Sequence, residues 1–301
     1  MSRSAAPLIA PEPVALRGAA WADYALIDSG DGKKLERYGG YTVVRPEPQC
    51  LWSPLRPAEW AEADAVFEAA GDEESGRWRL ARPVPESWPM TWRRIGFEAR
   101  LTAFRHLAVF PEHAANWEWI EARLARSTPA VKVLNLFGYS GIASLVAAAA
   151  GASVTHVDAS RKAVAWARRN AALSGLADRP IRWICEDARK YVAREARRGA
   201  RYHAIILDPP KYGRGPAGEI WRLYEHLPEL VAVCVALLDE SASFLLINAY
   251  SERISGLALA GLVAGAAKER GGLIEWGELA LMETAGARGV GLSFFARWIS
   301  S

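Results

Sequence analysis

The chain of 301 residues is 51% hydrophobic and carries 37 basic against 34 acidic side chains, a formal charge of +3 with a pI near 8.8. That length and apolar content exclude a disordered chain and allow a full core plus a smaller second domain; the near-balanced charge permits an anionic partner without requiring one. Three cysteines (Cys50, Cys185, Cys234) without metal-ligand spacing, a proline-broken start and no apolar run near the roughly 20 residues of a membrane span predict a cytoplasmic chain with neither a metal site nor a membrane segment.

Residues 1–22 are rich in proline and alanine without periodicity and read as a tail or extended strap. A small β-rich domain is expected over 23–110. Gly30-Asp31-Gly32 and Gly39-Gly40 are turn signals, Tyr41 to Val44 is a short strand, and residues 57–70 read as a helix ended by Gly71. Further strands follow, with alternation clearest at Phe97, Ala99 and Leu101. Eight of the thirteen tryptophans lie before residue 120, interleaved with Arg77, Arg79, Arg82, Arg93, Arg94, Arg100 and Arg105. Such interleaving suits phosphate contact and base stacking, while a tryptophan core flanked by arginines explains it equally. Residues 111–126 should form a helix, and Ser127-Thr128-Pro129 the joint to the main sheet.

The domain expected over 111–301 is α/β. Val131, Val133, Leu134 and Leu136 suit a parallel strand covered on both faces; Phe137-Gly138-Tyr139-Ser140-Gly141 turns the chain into an alanine-rich helix with Ser140 as its predicted cap and Gly151 as its stop. The turn has neither the three glycines of a dinucleotide fingerprint nor the lysine of a P-loop, so phosphate recognition is a poor reading. Asn135 and Asp158 are better candidates, because Asp158 ends the next strand, where a carboxylate can accept both hydroxyls of a ribose. Asp187 follows the third strand and could accept from an adenine amino group. Asp208 ends the fourth and leads into Pro209-Pro210-Lys211-Tyr212. Asp158 and Asp187 could instead cap helices, and Asn170 could tie its helix to a loop. Beyond Asp208, a helix over 219–238, a strand over 243–249, a helix over 255–270 and a closing antiparallel pair at the sheet edge (273–282, 290–299) complete the sheet.

The succession NLFGYSG, THVDAS, ARRNAALSGL, EDA and DPPKYGRG resembles the class I methyltransferases that use S-adenosylmethionine, and more narrowly the bacterial 23S ribosomal RNA methyltransferase family that includes the large-subunit cytosine-C5 enzymes. The resemblance spans roughly residues 100–301 and rests on the order of the motifs. It implies a Rossmann-like sheet with a C-terminal antiparallel hairpin, S-adenosylmethionine as cofactor and ribosomal RNA as substrate. Asn135, Phe137, Gly138, Gly141, Asp158, Ala159, Asn170, Asp187 and Ala188 would hold the cofactor. AVFPEHAANW resembles the family segment that closes over it, adding Phe110 and Asn116. Asp208, Pro209, Pro210 and Tyr212 would hold the acceptor. A protein or small-molecule acceptor, or a non-catalytic binding module, stands as the alternative.

One departure bears on the atom methylated. The cytosine-C5 members use a cysteine just after the fifth strand, since C5 becomes nucleophilic only after a thiolate adds to C6. Here that stretch is FLLINAYS, with Tyr250 at the cysteine's place. A phenol is a poor substitute, so an exocyclic nitrogen, a ring nitrogen or a hydroxyl is left as acceptor.

Overall fold

A computed structural model describes residues 6–18, 20–126, 131–250, 254–284 and 288–300. The chain divides into two compact units: residues 1–16, 116–279 and 292–301 form the first, and residues 17–115 with 280–291 the second. This division differs from the expected 1–22, 23–110 and 111–301, because part of the expected tail joins the large sheet and 280–291 belongs with the small unit. The expected joint at Ser127-Thr128-Pro129 lies outside the described residues.

Along the chain, β1 (Leu8–Ile9) and β2 (Val14–Gly18) precede the second unit's sheet of β3 (Tyr24–Gly30), β4 (Lys33–Tyr38), β5 (Tyr41–Pro46), β6 (Ala65–Ala70) and β7 (Asp72–Leu80), adjacent in that order. Asp31 and Gly32, both at positive φ, make the two-residue turn between β3 and β4. The helix expected over 57–70 is only α1 (Pro57–Ala61). Residues 65–70 are instead a strand, pairing parallel to β5 and antiparallel to β7. Ala65 and Phe67 point inward at a period of two, and that burial outweighs the helix propensity of AVFEAA. A hairpin of β8 (Ser87–Trp92) and β9 (Ile95–Arg100) carries the buried Trp88 and Trp92. Those rings are core, so they offer no face for stacking, while the exposed Arg77 and Arg79 share Glu68 as partner. Arg288, from the 280–291 segment, closes the unit by donating to Asp28 Oδ1 at 2.6 Å.

In the first unit, α2 (Ala114–Ala125) leads to β10 (Lys132–Leu136), α3 (Ile142–Ala149), β11 (Ser153–Asp158), α4 (Arg161–Leu173), β12 (Ile181–Cys185), α5 (Ala188–Arg197) and β13 (Ala204–Leu207). A short ribbon, β14 (Tyr212–Arg214) and β15 (Ile220–Arg222), precedes α6 (Leu223–Leu237), β16 (Phe244–Tyr250) and α7 (Gly256–Ala266). The helix expected from residue 219 thus starts at Leu223, because 220–222 pair with 212–214. The chain ends with β17 (Leu273–Met282) and β18 (Gly289–Ile299).

The large sheet runs β1-β17-β18-β16-β13-β10-β11-β12, with β2 also on β17. β10 to β13 and β16 are parallel, and the order reverses at β10, which places a crevice at its carboxyl end. The apolar runs of β10, β13 and β16 are buried, as strands covered on both faces require. The expected C-terminal pair departs in one respect: β18 inserts antiparallel beside β16, and the edge beyond β17 is taken by β1, parallel to it through Leu8–Leu273 and Ile9–Ile274. An apolar β18, with Phe295, Ala296 and Trp298 buried, gains more inside the sheet than at its rim.

Candidate active site

Five residues turn the chain from β10 into α3, and three of them, Phe137 (φ 56°), Tyr139 (φ 46°) and Gly141 (φ 88°), are left-handed. Two are not glycine, so the loop stores strain that its contacts must offset. Gly138 N–H donates to Val157 O at 3.1 Å, and Tyr139 N–H donates to Asp158 Oδ2 at 2.9 Å. The glycines are set by close approach. A Cβ on Gly138 would lie 2.4 Å from His156 Cε1, and one on Gly141 would lie 2.7 Å from Ala167 Cβ. Ser140 is not the helix cap expected of it. Gly141 holds that position, and the Ser140 carbonyl accepts from Asn170 Nδ2 at 2.8 Å. Asn170, fully buried, therefore ties α4 to the loop.

Asp158 closes β11 with its carboxylate between two backbone donors, Tyr139 N–H on Oδ2 and Ser160 N–H on Oδ1 at 2.8 Å. Burial raises its pKa above the ordinary carboxylate range, and those two bonds oppose the rise. Ser160, not Asp158, caps α4. A carboxylate offers about four lone-pair directions, so two remain for hydroxyl donors, which is the fit a ribose requires. Ala159 accepts from Cys185 Sγ at 3.6 Å, and Glu186 N–H donates to Asp158 O at 3.1 Å, which brings the ends of β11 and β12 together. Asp187 caps α5 through Lys190 N–H at 3.1 Å, with Ala188 opening the helix.

Asn135 points beneath the loop. Its Nδ2 donates to Ser144 Oγ at 2.8 Å, and Ser144 Oγ lies 3.0 Å from His156 Nδ1. Asn135 and His156 are register partners on β10 and β11, so one face of the sheet carries both. Burial pushes the His156 pKa down to about 3, and its Nε2 has no hydrogen-bond partner. The sequence reading missed Ser144 and His156. The signal was period two in THVD, which puts His156 on the same side as Asp158.

The expected acceptor side follows β13. Asp208 N–H donates to Leu136 O at 3.4 Å, which sets the Asp208-Pro209-Pro210 corner against the start of the glycine loop. Pro209 is buried and Pro210 exposed. Trp221, also missed, fastens the corner: its indole N–H donates to Pro210 O at 2.6 Å, and its ring lies 4.9 Å from that of Phe137. Tyr212 is on the exposed face of the ribbon. Tyr250 ends β16. Cys50 and Cys234 are buried, the thiol of Cys50 pushed up to about 12 and that of Cys234 higher. No cysteine among the described residues stands at the end of β16.

Asn116 donates to Asn248 Oδ1 at 2.6 Å and accepts from Arg297, so it links α2, β16 and β18. Phe110 belongs to the other unit, where its ring lies 5.7 Å from that of His113. Among the described residues no cluster of His, Cys, Asp and Glu could hold a metal, and no helix is long and apolar enough to cross a membrane.

A family model described as "Conserved hypothetical protein 95" matches residues 113–230. A Shewanella sp. (strain ANA-3) protein named ribosomal RNA large subunit methyltransferase K/L is 33% identical over 118 residues, covering 38% of this chain and 16% of its own. A protein of the same name from Desulfotalea psychrophila is 38% identical over 94 residues, 31% of this chain and 13% of its own. The chain thus spans about one-sixth of the length of the curated relatives it matches. A solved Streptococcus mutans chain, 16% identical with TM-score 0.68 over 92% of this chain and 75% of that one, shares the fold. A crystal structure of the SAM-dependent methyltransferase from Agrobacterium tumefaciens is 47% identical with TM-score 0.94, covering 99% of this chain and 96% of that one. With that match over its whole length and a strand-end carboxylate poised beside the glycine loop, the chain belongs to the S-adenosylmethionine-dependent methyltransferases.

Proposed function

We propose that the chain methylates ribosomal RNA at a base nitrogen or a ribose hydroxyl, with Asp208 and Pro209 orienting the acceptor. The observation that carries this reading is the corner at the end of β13: Asp208, whose backbone N–H is bonded to the end of β10, followed by two prolines that fix the backbone. S-adenosylmethionine, when bound, supplies an electrophilic methyl group on a positively charged sulfur. Asp158 takes the ribose hydroxyls, Asp187 the adenine amino group, and Phe137, Gly138 and Gly141 line the turn between them. Asn135 and Asn170 hold that turn in shape from below, and Asn116 completes the cofactor side within the same unit.

In-line displacement demands alignment above all. Asp208 and the Pro209 carbonyl accept hydrogen bonds from an acceptor amino group, and Asp208 takes the proton that the methylated nitrogen sheds. Pro210 stiffens the corner, and Tyr212 offers a ring to the base. The names of the K/L relatives support an RNA acceptor, and the lack of a cysteine at the end of β16 supports nitrogen or hydroxyl over C5.

The test is mass-spectrometric nucleoside analysis of ribosomal RNA from cells with and without the gene, followed by adding back protein and cofactor. One methylated nucleoside should vanish and be restored. Loss and restoration of 5-methylcytidine would overturn the choice of atom. An unchanged nucleoside profile would overturn the choice of RNA.

A further inference from the structure

The ribbon beyond the Asp208 corner has two unlike faces. Its antiparallel register pairs Tyr212 with Arg222, Gly213 with Trp221 and Arg214 with Ile220. Side chains alternate across such a ribbon, so Gly213 and Trp221 share one face and Tyr212, Arg214, Ile220 and Arg222 the other. The Trp221 face is turned inward: the indole is 3% exposed, packed on Phe137 and bonded to Pro210. Arg189 donates to the Ile220 carbonyl at 3.0 Å and Lys190 pairs with Glu219, which fastens the ribbon to α5. The opposite face is open to solvent, with Tyr212 at 49% and Ile220 at 40% exposure and Arg214 exposed beside them.

We propose that this outer face binds the single strand of RNA that carries the acceptor base, with bases against Tyr212 and Ile220 and phosphates on Arg214 and Arg222. Charge complementarity selects this occupant. The face presents two guanidiniums, with Lys211 just before it; of the neighbouring carboxylates, Glu219 is held by Lys190 and Glu225 lies 3.2 Å from Arg222. That pair is exposed on both sides, so it opens to a phosphate at little cost. An aromatic ring between cations matches unpaired bases and their backbone; a duplex hides its bases from such a ring. The same two-residue period that buries Trp221 against the cofactor loop aims Tyr212 and Arg214 outward, so strand binding and the catalytic corner share one rigid element. This inference rests on the RNA reading above and narrows it to the contacts of one ribbon.

Fluorescence anisotropy tests it, using a labelled single-stranded RNA of mixed sequence and the same sequence annealed as duplex, titrated with the wild-type chain, Arg214→Gln and Tyr212→Ala over a salt series. S-adenosylhomocysteine affinity serves as the check that the variants fold. The wild type should prefer the single strand. Arg214→Gln should weaken binding several-fold and lower the salt slope by about 0.7, the loss of one phosphate contact. Tyr212→Ala should weaken binding about tenfold with the slope unchanged. If the wild type binds and methylates RNA while both variants match it in affinity and slope, the ribbon is not the contact and only this inference falls. Equal affinity for the duplex removes the stacking role. A wild-type chain that binds cofactor but neither RNA overturns the RNA reading and this inference with it.

Discussion

The imidazole of His156 fills the space beside the Cα of Gly138, where an added methyl group would lie 2.4 Å from Cε1 and 2.5 Å from Nδ1. His156 cannot swing away, since it is fully buried and lies 3.0 Å from Ser144. Gly138→Ala must therefore displace the loop that carries the Tyr139 N–H to Asp158. The expected result is a loss of S-adenosylhomocysteine affinity of roughly tenfold or more, with the unfolding temperature lowered modestly. Calorimetric titration checks it, and wild-type affinity would show that the loop absorbs the methyl group.

His156 also sets an acid limit on stability. Burial holds its folded pKa near 3, against 6.5 for a free imidazole. Above about pH 6.5 both folded and unfolded states are neutral there and the contribution is fully present. As pH falls toward 3 the unfolded chain binds the extra proton, and stability drops by up to about 1.4 kcal/mol per pH unit. Denaturant unfolding of the wild type and of His156→Gln between pH 7 and pH 3 should give the shallower slope for the variant. Parallel curves would assign the acid sensitivity to other groups.

Asp158 and Asp208 should separate binding from turnover. Asp158→Ala removes an ionised acceptor from Tyr139 and Ser160 and, on the proposed role, from the ribose, and cofactor affinity should fall about 10- to 100-fold, on the scale of charged hydrogen bonds. Because burial raises the Asp158 pKa, wild-type affinity should weaken on acidification at a higher pH than an ordinary carboxylate would give.

Asp208→Ala should leave cofactor affinity intact and cut kcat by about a hundredfold or more, as loss of an orienting group does. Titration of S-adenosylhomocysteine and single-turnover methylation, run side by side, check both variants. Retained turnover in Asp208→Ala would remove its proposed role.

Trp221→Phe keeps a ring against Phe137 but deletes the 2.6 Å hydrogen bond to Pro210. The expected cost is about 1 kcal/mol in unfolding free energy, together with a fall in kcat larger than any change in cofactor affinity. If kcat stands unchanged, the corner holds its shape through its prolines alone.

The placement of the candidate residues was legible because strand ends are marked by chemistry. Asp158 and Asp208 each close an apolar run and Asp187 follows two residues past the third strand, and a carboxylate that ends a parallel strand stands at the sheet's carboxyl edge whatever the details of packing. The Asp31-Gly32 turn was equally plain, since Asp-Gly favours the left-handed pair that closes this hairpin. Local propensity misled at residues 65–70, where strand pairing overrode a helix-forming composition, and at Ser140, where a backbone angle available to Gly141 decided the cap.

The sequence by itself thus determined the parallel sheet, the glycine turn and the order of acidic strand ends, all of which follow from hydrophobic period and local backbone chemistry. Only the tertiary structure decided that His156 underpins Gly138, that Trp221 locks Pro210, that Asn116 meets Asn248 and Arg297, and that β18 enters the sheet while β1 takes its edge. Those partners are 11 to 181 residues apart or depend on strand order, and burial selects them through shape and unmet hydrogen bonds that no local pattern records.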